Sequence, residues 1–149
     1  AIIISLISIV KFIFFPKYKL KFNLTYSVSF EQIGTQFGPN IPMLTVHIVN
    51  VGSHAIHIQE PTILTLKKIN GENEFQVINY NRSTQSQIPL APTARFTMDF
   101  PIRALYTQVL SKLDLNDNIM IITRDFRKKK YCSKKIKVTE IIDRMNSVK

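Results

Sequence analysis

The stretch RDFRKKKYCSKKIK, residues 124–137, holds the densest charge in the chain: eight of its fourteen residues are Lys or Arg and one, Asp125, is acidic. Arg124, Arg127, Lys128, Lys129, Lys130, Lys134, Lys135 and Lys137 are the candidate contacts to an anionic surface. Lys and Arg neutralise phosphate on lipid headgroups or on nucleic acid. The same run could simply be the solvated rim of a hairpin, where lysine blunts an edge against aggregation. Base stacking would need exposed aromatics beside the cations, and Phe126 and Tyr131 are the candidates.

Other residue types with chemistry in them give weaker patterns. Lys130, Lys134 and Lys135 around Cys132 would favour a thiolate. However, alternation through KYCSKKIKV groups Cys132 with Ile136 and Val138 on the core-facing side, and Tyr131 with Ser133, Lys135 and Lys137 outward. That predicts an inert, packed thiol. His47, His54 and His57 would need further ligands to hold a metal, and Glu60 is the only nearby carboxylate. They read better as exposed or half-buried hydrogen-bonding side chains, with His47 on the outer face opposite Val46 and Ile48. Asp114 and Asp117 flank a helix end and form no acid–base pair. The four glycines are not clustered, so no phosphate-cradling loop is present. The expectation is a non-enzymatic protein without a cofactor or metal.

The chain has 149 residues, 45% of them hydrophobic, enough for one domain with a real core. Of the net charge of +10, the basic run supplies +7, leaving about +3 elsewhere, so the basicity is local. A single cysteine excludes an intrachain disulfide and any multi-cysteine zinc set, and favours a reducing compartment.

AIIISLISIVKFIFF, residues 1–15, is apolar apart from Ser5, Ser8 and Lys11. A bilayer span needs about 20 such residues. Three readings compete: the end of a membrane anchor completed by residues upstream of Ala1, a remnant signal sequence, or a buried or interfacial helix. Pro16 would stop the helix. Lys17, Lys19 and Lys21 follow at once, which favours a cytoplasmic main domain. The sequons at Asn23 and Asn81 argue weakly for the opposite side.

The elements that must position the basic run are mostly strands. In residues 18–30, Tyr18, Leu20, Phe22, Leu24, Tyr26, Val28 and Phe30 alternate with polar residues, the period of a strand with one buried face. EQIGTQFGPNIP (31–42) reads as a loop, MLTVHIVN (43–50) as a strand, and VGSHA (51–55) as a turn. IHIQEPTILTLKKI (56–69) is broken at Pro61. Asn70-Gly71 predicts a hairpin with EFQVINY (74–80) returning. Residues 81–93 read as a long loop and ARFTMDF (94–100) as a strand. Helical spacing covers 103–115. NIMIITRDF (118–126) and KYCSKKIKV (130–138) form the last hairpin. TEIIDRMN (139–146) is a short helix with Thr139 as its cap.

Three of these stretches resemble a loose group of small uncharacterised bacterial membrane-anchored proteins in which a membrane segment precedes an immunoglobulin-like β-sandwich. PKYKLKFNLTYSV follows an apolar segment as theirs does. MLTVHIVNVGSHAIHI is similar to their strand, Asn-x-Gly turn, strand pattern. IMIITRDFRKKKYCSKKIKV resembles their closing hairpin, which usually carries a glycine where this chain has Arg127-Lys128. The resemblance spans most of residues 17–140 and transfers no catalytic residue.

The combined expectation is a mainly β chain: an antiparallel two-sheet Ig-like sandwich of about seven to eight strands. One short helix precedes the last hairpin, and an apolar helix leads. Residues 1–16 would be the anchor or interfacial helix and 17–149 the sandwich. The expected role is a membrane-associated binding or scaffolding module, its main domain cytoplasmic, meeting an anionic lipid surface or a protein partner. Nucleic acid is a less favoured partner, and no small-molecule substrate is indicated. The alternative is a basic component of a nucleoprotein or larger protein assembly, with residues 1–15 buried against a partner.

Overall fold

A computed structural model describes residues 2–14, 17–33, 36–77 and 87–148. Pro16, Gly34 and Thr35 of the expected loop, residues 78–80 of the expected return strand, residues 81–86 of the expected long loop and the Asn81 sequon lie outside the described residues. Helix α1 (Ile2–Phe14) is followed by two long strands, β1 (Leu20–Ile33) and β2 (Gln36–Asn50). Then come β3 (Ile56–Ile58), β4 (Thr62–Ile69), β5 (Glu72–Phe75), β6 (Ile88–Leu90) and β7 (Arg95–Pro101). Helix α2 (Ile102–Gln108) and a 3-10 turn (Leu110–Lys112) lead to β8 (Asn118–Arg124), β9 (Lys130–Cys132), β10 (Ile136–Lys137) and α3 (Val138–Ser147).

The chain is mainly β, and every sheet is antiparallel. One sheet has the order β1-β2-β7; a second runs β10-β8-β4-β5 with β9 also on β8; β3 and β6 form a small third sheet. Leu44, Val46, Ile48 and Phe100 from the first sheet share one buried cluster with Ile63, Ile119 and Ile121 from the second and Ile56, Ile58 and Leu90 from the third. The chain passes from the first sheet to the second through α2, whose Ile102 and Leu105 are buried in the same cluster. The architecture is sandwich-like with a third small sheet.

Several expectations are corrected. Residues 31–33 and 36–42 of the expected loop are strand, despite Gly38, Pro39 and Pro42. Over residues 36–42 β2 pairs, among the described residues, only with β1, because its other neighbour β7 ends at Pro101 opposite Met43. A proline lacks one donor, and an edge tolerates that. Ile88-Pro89-Leu90, expected as loop, pairs with β3. The expected last strand is interrupted between Cys132 and Ile136, which gives β9 and β10 instead of one element and brings the strands to ten among the described residues. Thr139 does not cap α3; its hydroxyl donates to the Leu115 carbonyl, and Lys137 holds the cap position without a side-chain bond.

Other local readings are matched by the fold. Pro61 separates β3 from β4. Asn70 (φ 53°) and Gly71 (φ 83°) form the two-residue loop between Ile69 and its partner Glu72, with positive φ at both positions as the primed hairpin turn requires.

Candidate functional site

Residues 124–137 form a hairpin turn organised by its one acid. Lys128 N–H donates to the Asp125 carbonyl (2.9 Å), and Asp125 N–H donates to the Lys129 carbonyl (3.1 Å). The Asp125 carboxylate, 1% exposed, accepts from Arg127 N–H (2.8 Å) and Lys129 N–H (3.0 Å) through Oδ1. Through Oδ2 it accepts from the Arg127 guanidinium (2.9 Å) and the Tyr131 hydroxyl (3.1 Å). Burial alone would raise its pKa; the Arg127 guanidinium, the two N–H groups and the Tyr131 hydroxyl outweigh burial and hold the carboxyl below its ordinary value. Burial, followed by Asp125, pushes the Tyr131 phenol up.

The two arginines of the run are engaged within the protein. Arg124 forms a bidentate pair with Glu74 on β5, Nη1 to Oε2 at 2.8 Å and Nη2 to Oε1. That hydrogen-bonded guanidinium holds Glu74 below its usual pKa against the opposing effect of burial. Arg127 serves Asp125. The lysines differ: Lys128, Lys129, Lys130, Lys134, Lys135 and Lys137 are all exposed and form no ion pair among the described residues. Lys129 lies 5.4 Å from the centroid of the Tyr131 ring. Lys128 has φ 64°, the left-handed region that glycine favours, so the tight turn is made without its glycine.

The turn is docked on the start of the sandwich. The Arg127 guanidinium stands 4.0 Å from the centroid of Tyr18, within cation–π range. Tyr18 also meets the His54 ring at 5.6 Å. Lys17 and Lys19 carbonyls accept from His54 N–H and Val51 N–H, each at 3.0 Å. Asn50, fully buried, closes this turn: its Oδ1 accepts from Gly52 N–H (3.0 Å), and its Nδ2 donates to the His54 (2.8 Å) and Leu90 (2.9 Å) carbonyls. Gly52 is required here because a Cβ would stand 2.5 Å from the Lys17 carbonyl oxygen. Lys17, Lys19 and Lys21 are exposed along the same entry segment as Tyr18, and Lys134 lies beside Phe22, Asn23 and Leu24.

Some expected placements are overturned. Cys132 is exposed, not packed in the core, and Ser133 is buried, not outward. The cause is the break after β9. Ser133 turns inward and bonds β8 twice, its N–H to the Ile121 carbonyl (2.8 Å) and its Oγ to Ile121 N–H (2.9 Å), so parity restarts before Ile136. Tyr131 is half-buried against Asp125, whereas Phe126 is 56% exposed at the tip. His47 lies on the outer face between the Thr25 and Thr97 hydroxyls, and His54 meets the Ser53 hydroxyl. Asp114 N–H is capped by the Asp117 carboxylate (2.9 Å). Among the described residues no three His, Cys, Asp or Glu side chains gather as a metal site.

Sequence reasoning missed the roles of Tyr18, His54 and Asn50. The Asn-x-Gly spacing was the available signal for Asn50. The Tyr18–Arg127 contact joins opposite ends of the chain and leaves no local signature.

No family model and no curated protein matches the chain. Among solved structures it is similar to target SoR45 of the Northeast Structural Genomics Consortium, an X-ray structure, at 14% identity and a TM-score of 0.29, over 81% of this chain and 83% of that one. At that score the likeness carries no argument about fold or role.

Proposed function

We propose that this protein is a non-enzymatic, membrane-anchored Ig-like sandwich module that holds its basic turn against an anionic lipid surface from the cytoplasmic side. The observation that carries the reading is the stacking of Arg127 on Tyr18. It fixes the lysine-bearing turn beside the residues where the chain enters the sandwich. Tyr18 is four residues beyond Phe14, the last residue of α1. Four residues reach at most about 14 Å, so the turn and the end of the apolar helix are close neighbours whatever path the chain takes.

Helix α1 supports the same reading. Ile2, Ile3, Ile4, Leu6, Ile7 and Ile9 are each more than half exposed, and none belongs to the core cluster. At thirteen residues α1 is about 20 Å long, against about 30 Å of hydrocarbon. No helix among the described residues is long and apolar enough to cross a membrane. An apolar helix inserted at the interface and a basic patch beside it make two weak signals that act together. Lys17, Lys19 and Lys21 support the cytoplasmic side, and an exposed Cys132 thiol suits a reducing compartment.

The test is co-sedimentation of residues 17–149 with phosphatidylcholine vesicles containing phosphatidylserine, across a salt series. Changing Lys128, Lys129 and Lys130 to Ser removes three charges worth about 1 kcal/mol each, so partition falls about 100-fold. Binding that ignores salt and the substitutions contradicts the reading. Phe126 at the tip gives the alternative, a nucleoprotein component, its one favourable feature. Retention on single-stranded RNA but not on the vesicles, lost in the same variant, would establish that alternative.

A further inference from the structure

The first sheet ends on β1, whose outer edge pairs with no strand among the described residues. Strand β1 pairs with β2 without a register shift from Leu20↔Asn50 to Phe30↔Asn40. Val51 N–H donates to the Lys19 carbonyl, so residue 19 directs its backbone groups towards β2. In an antiparallel ladder that direction alternates. Lys21, Asn23 and Thr25 therefore also face β2, and Leu20, Phe22, Leu24 and Tyr26 aim their N–H and C=O groups away from it. No described backbone group takes them up.

The stretch of that edge from Leu20 to Leu24 is bracketed by two tertiary contacts. At one end Arg127 of the turn stacks on Tyr18. At the other, the Tyr26 hydroxyl donates to Glu140 of α3 (3.2 Å), and Arg144 stands 5.0 Å from its ring. Between the two lies a cleft of about 250 Å³ lined by Phe22, Asn23, Leu24 and Lys134. The cleft separates the edge of the first sheet from the β9–β10 connection of the second. Phe22 and Leu24 are half-buried on its inner side, and Lys19 and Lys21 are exposed on the outer face.

We propose that this seam is a docking site for an extended acidic segment of a partner protein, which adds to β1 as a strand. An added strand shares faces with the strand it pairs with, residue for residue. Opposite Phe22 and Leu24 it would place apolar side chains; opposite Lys19 and Lys21 it would place carboxylates, with Lys134 over the seam. The occupant is therefore a segment alternating apolar and acidic residues, the mode in which backbone pairing supplies affinity and side-chain pockets supply specificity. Charge also selects against a second copy of this chain, whose own lysines on the same edge would repel. The proposal is independent of whether the basic turn meets lipid.

The test uses the full chain in a neutral detergent with an acetylated heptapeptide, Glu-Val-Glu-Val-Thr-Val-Glu. Amide hydrogen exchange, resolved by residue, should slow at least tenfold at Phe22 and Leu24 when the peptide is present. Leu24→Pro deletes one outward N–H and leaves the β2 ladder intact, so it should weaken binding about tenfold. Lys134→Glu, a surface change that does not touch the sheet, should weaken binding similarly. A peptide of the same composition with its valines and glutamates in separate blocks should not bind. Unchanged exchange at Phe22 and Leu24, or equal binding by Lys134→Glu, would overturn the proposal. So would slowing of those amides with protein concentration alone, since that would make the occupant another copy.

Discussion

Asp125 sets one negative charge among eight cations, and the fold buries it. Its position, not its type, gives it away: an acid at the first residue of a tight turn accepts from the backbone two and four residues on, as it does here. Because its folded pKa is depressed, its contribution to stability is full above the unfolded carboxyl value of about 3.9 and is lost as pH falls through the lower folded value. Melting temperatures of the wild type and Asp125→Asn should therefore differ near neutral pH and converge at the acid end of a titration; a constant gap would show that the charge is not what matters. Lys128 tells a complementary story at the same scale. A lysine at φ 64° carries a backbone cost of roughly 1–2 kcal/mol that glycine avoids. Lys128→Gly should raise the urea midpoint by an amount corresponding to about 1 kcal/mol while weakening vesicle partition about fivefold. Gain in both stability and binding would mean that the lysine has no role at the surface.

At the scale of elements, period and turn chemistry made much of the sheet readable. The break at Pro61, the Asn70-Gly71 hairpin and the alternation of residues 18–26 each rest on interactions within a few residues, and each is where it was expected; Val28 and Phe30, expected on the same buried face, are exposed instead, 41% and 62%. The misreadings have a common cause. Whether Pro39, Pro42 or Pro89 interrupts a strand depends on which neighbour is present at that level of the sheet, and this is decided by distant segments. Parity through residues 130–138 failed because Ser133 bonds Ile121 across the sheet. The Asn50–Gly52 turn belongs to both categories, since its sequence pattern was visible and its partner was not. Gly52→Ala would force a methyl against the Lys17 carbonyl, so residues 17–19 must shift. Thermal unfolding should show a loss of about 1–3 kcal/mol. A neutral effect would mean that the entry segment is loosely held, and the positioning of Tyr18 with it.

At the scale of the whole molecule, the basic run was plain in the sequence but its use was not. Composition could not show that both arginines are engaged by Glu74 and Asp125, leaving the lysines to face outward. Nor could it show that the turn stands on Tyr18, next to the apolar helix. The central claim is that α1 and this turn act on one surface together. The most direct measurement is the partition of the intact chain onto vesicles with and without phosphatidylserine, compared with residues 17–149. Each form would be tested with Lys128, Lys129 and Lys130 intact and changed to Ser. The account predicts that both signals are needed: either change alone lowers partition onto anionic vesicles by about two orders of magnitude, and the lysine effect vanishes on neutral ones. An intact chain that partitions equally onto both vesicles, with or without the three lysines, would contradict it.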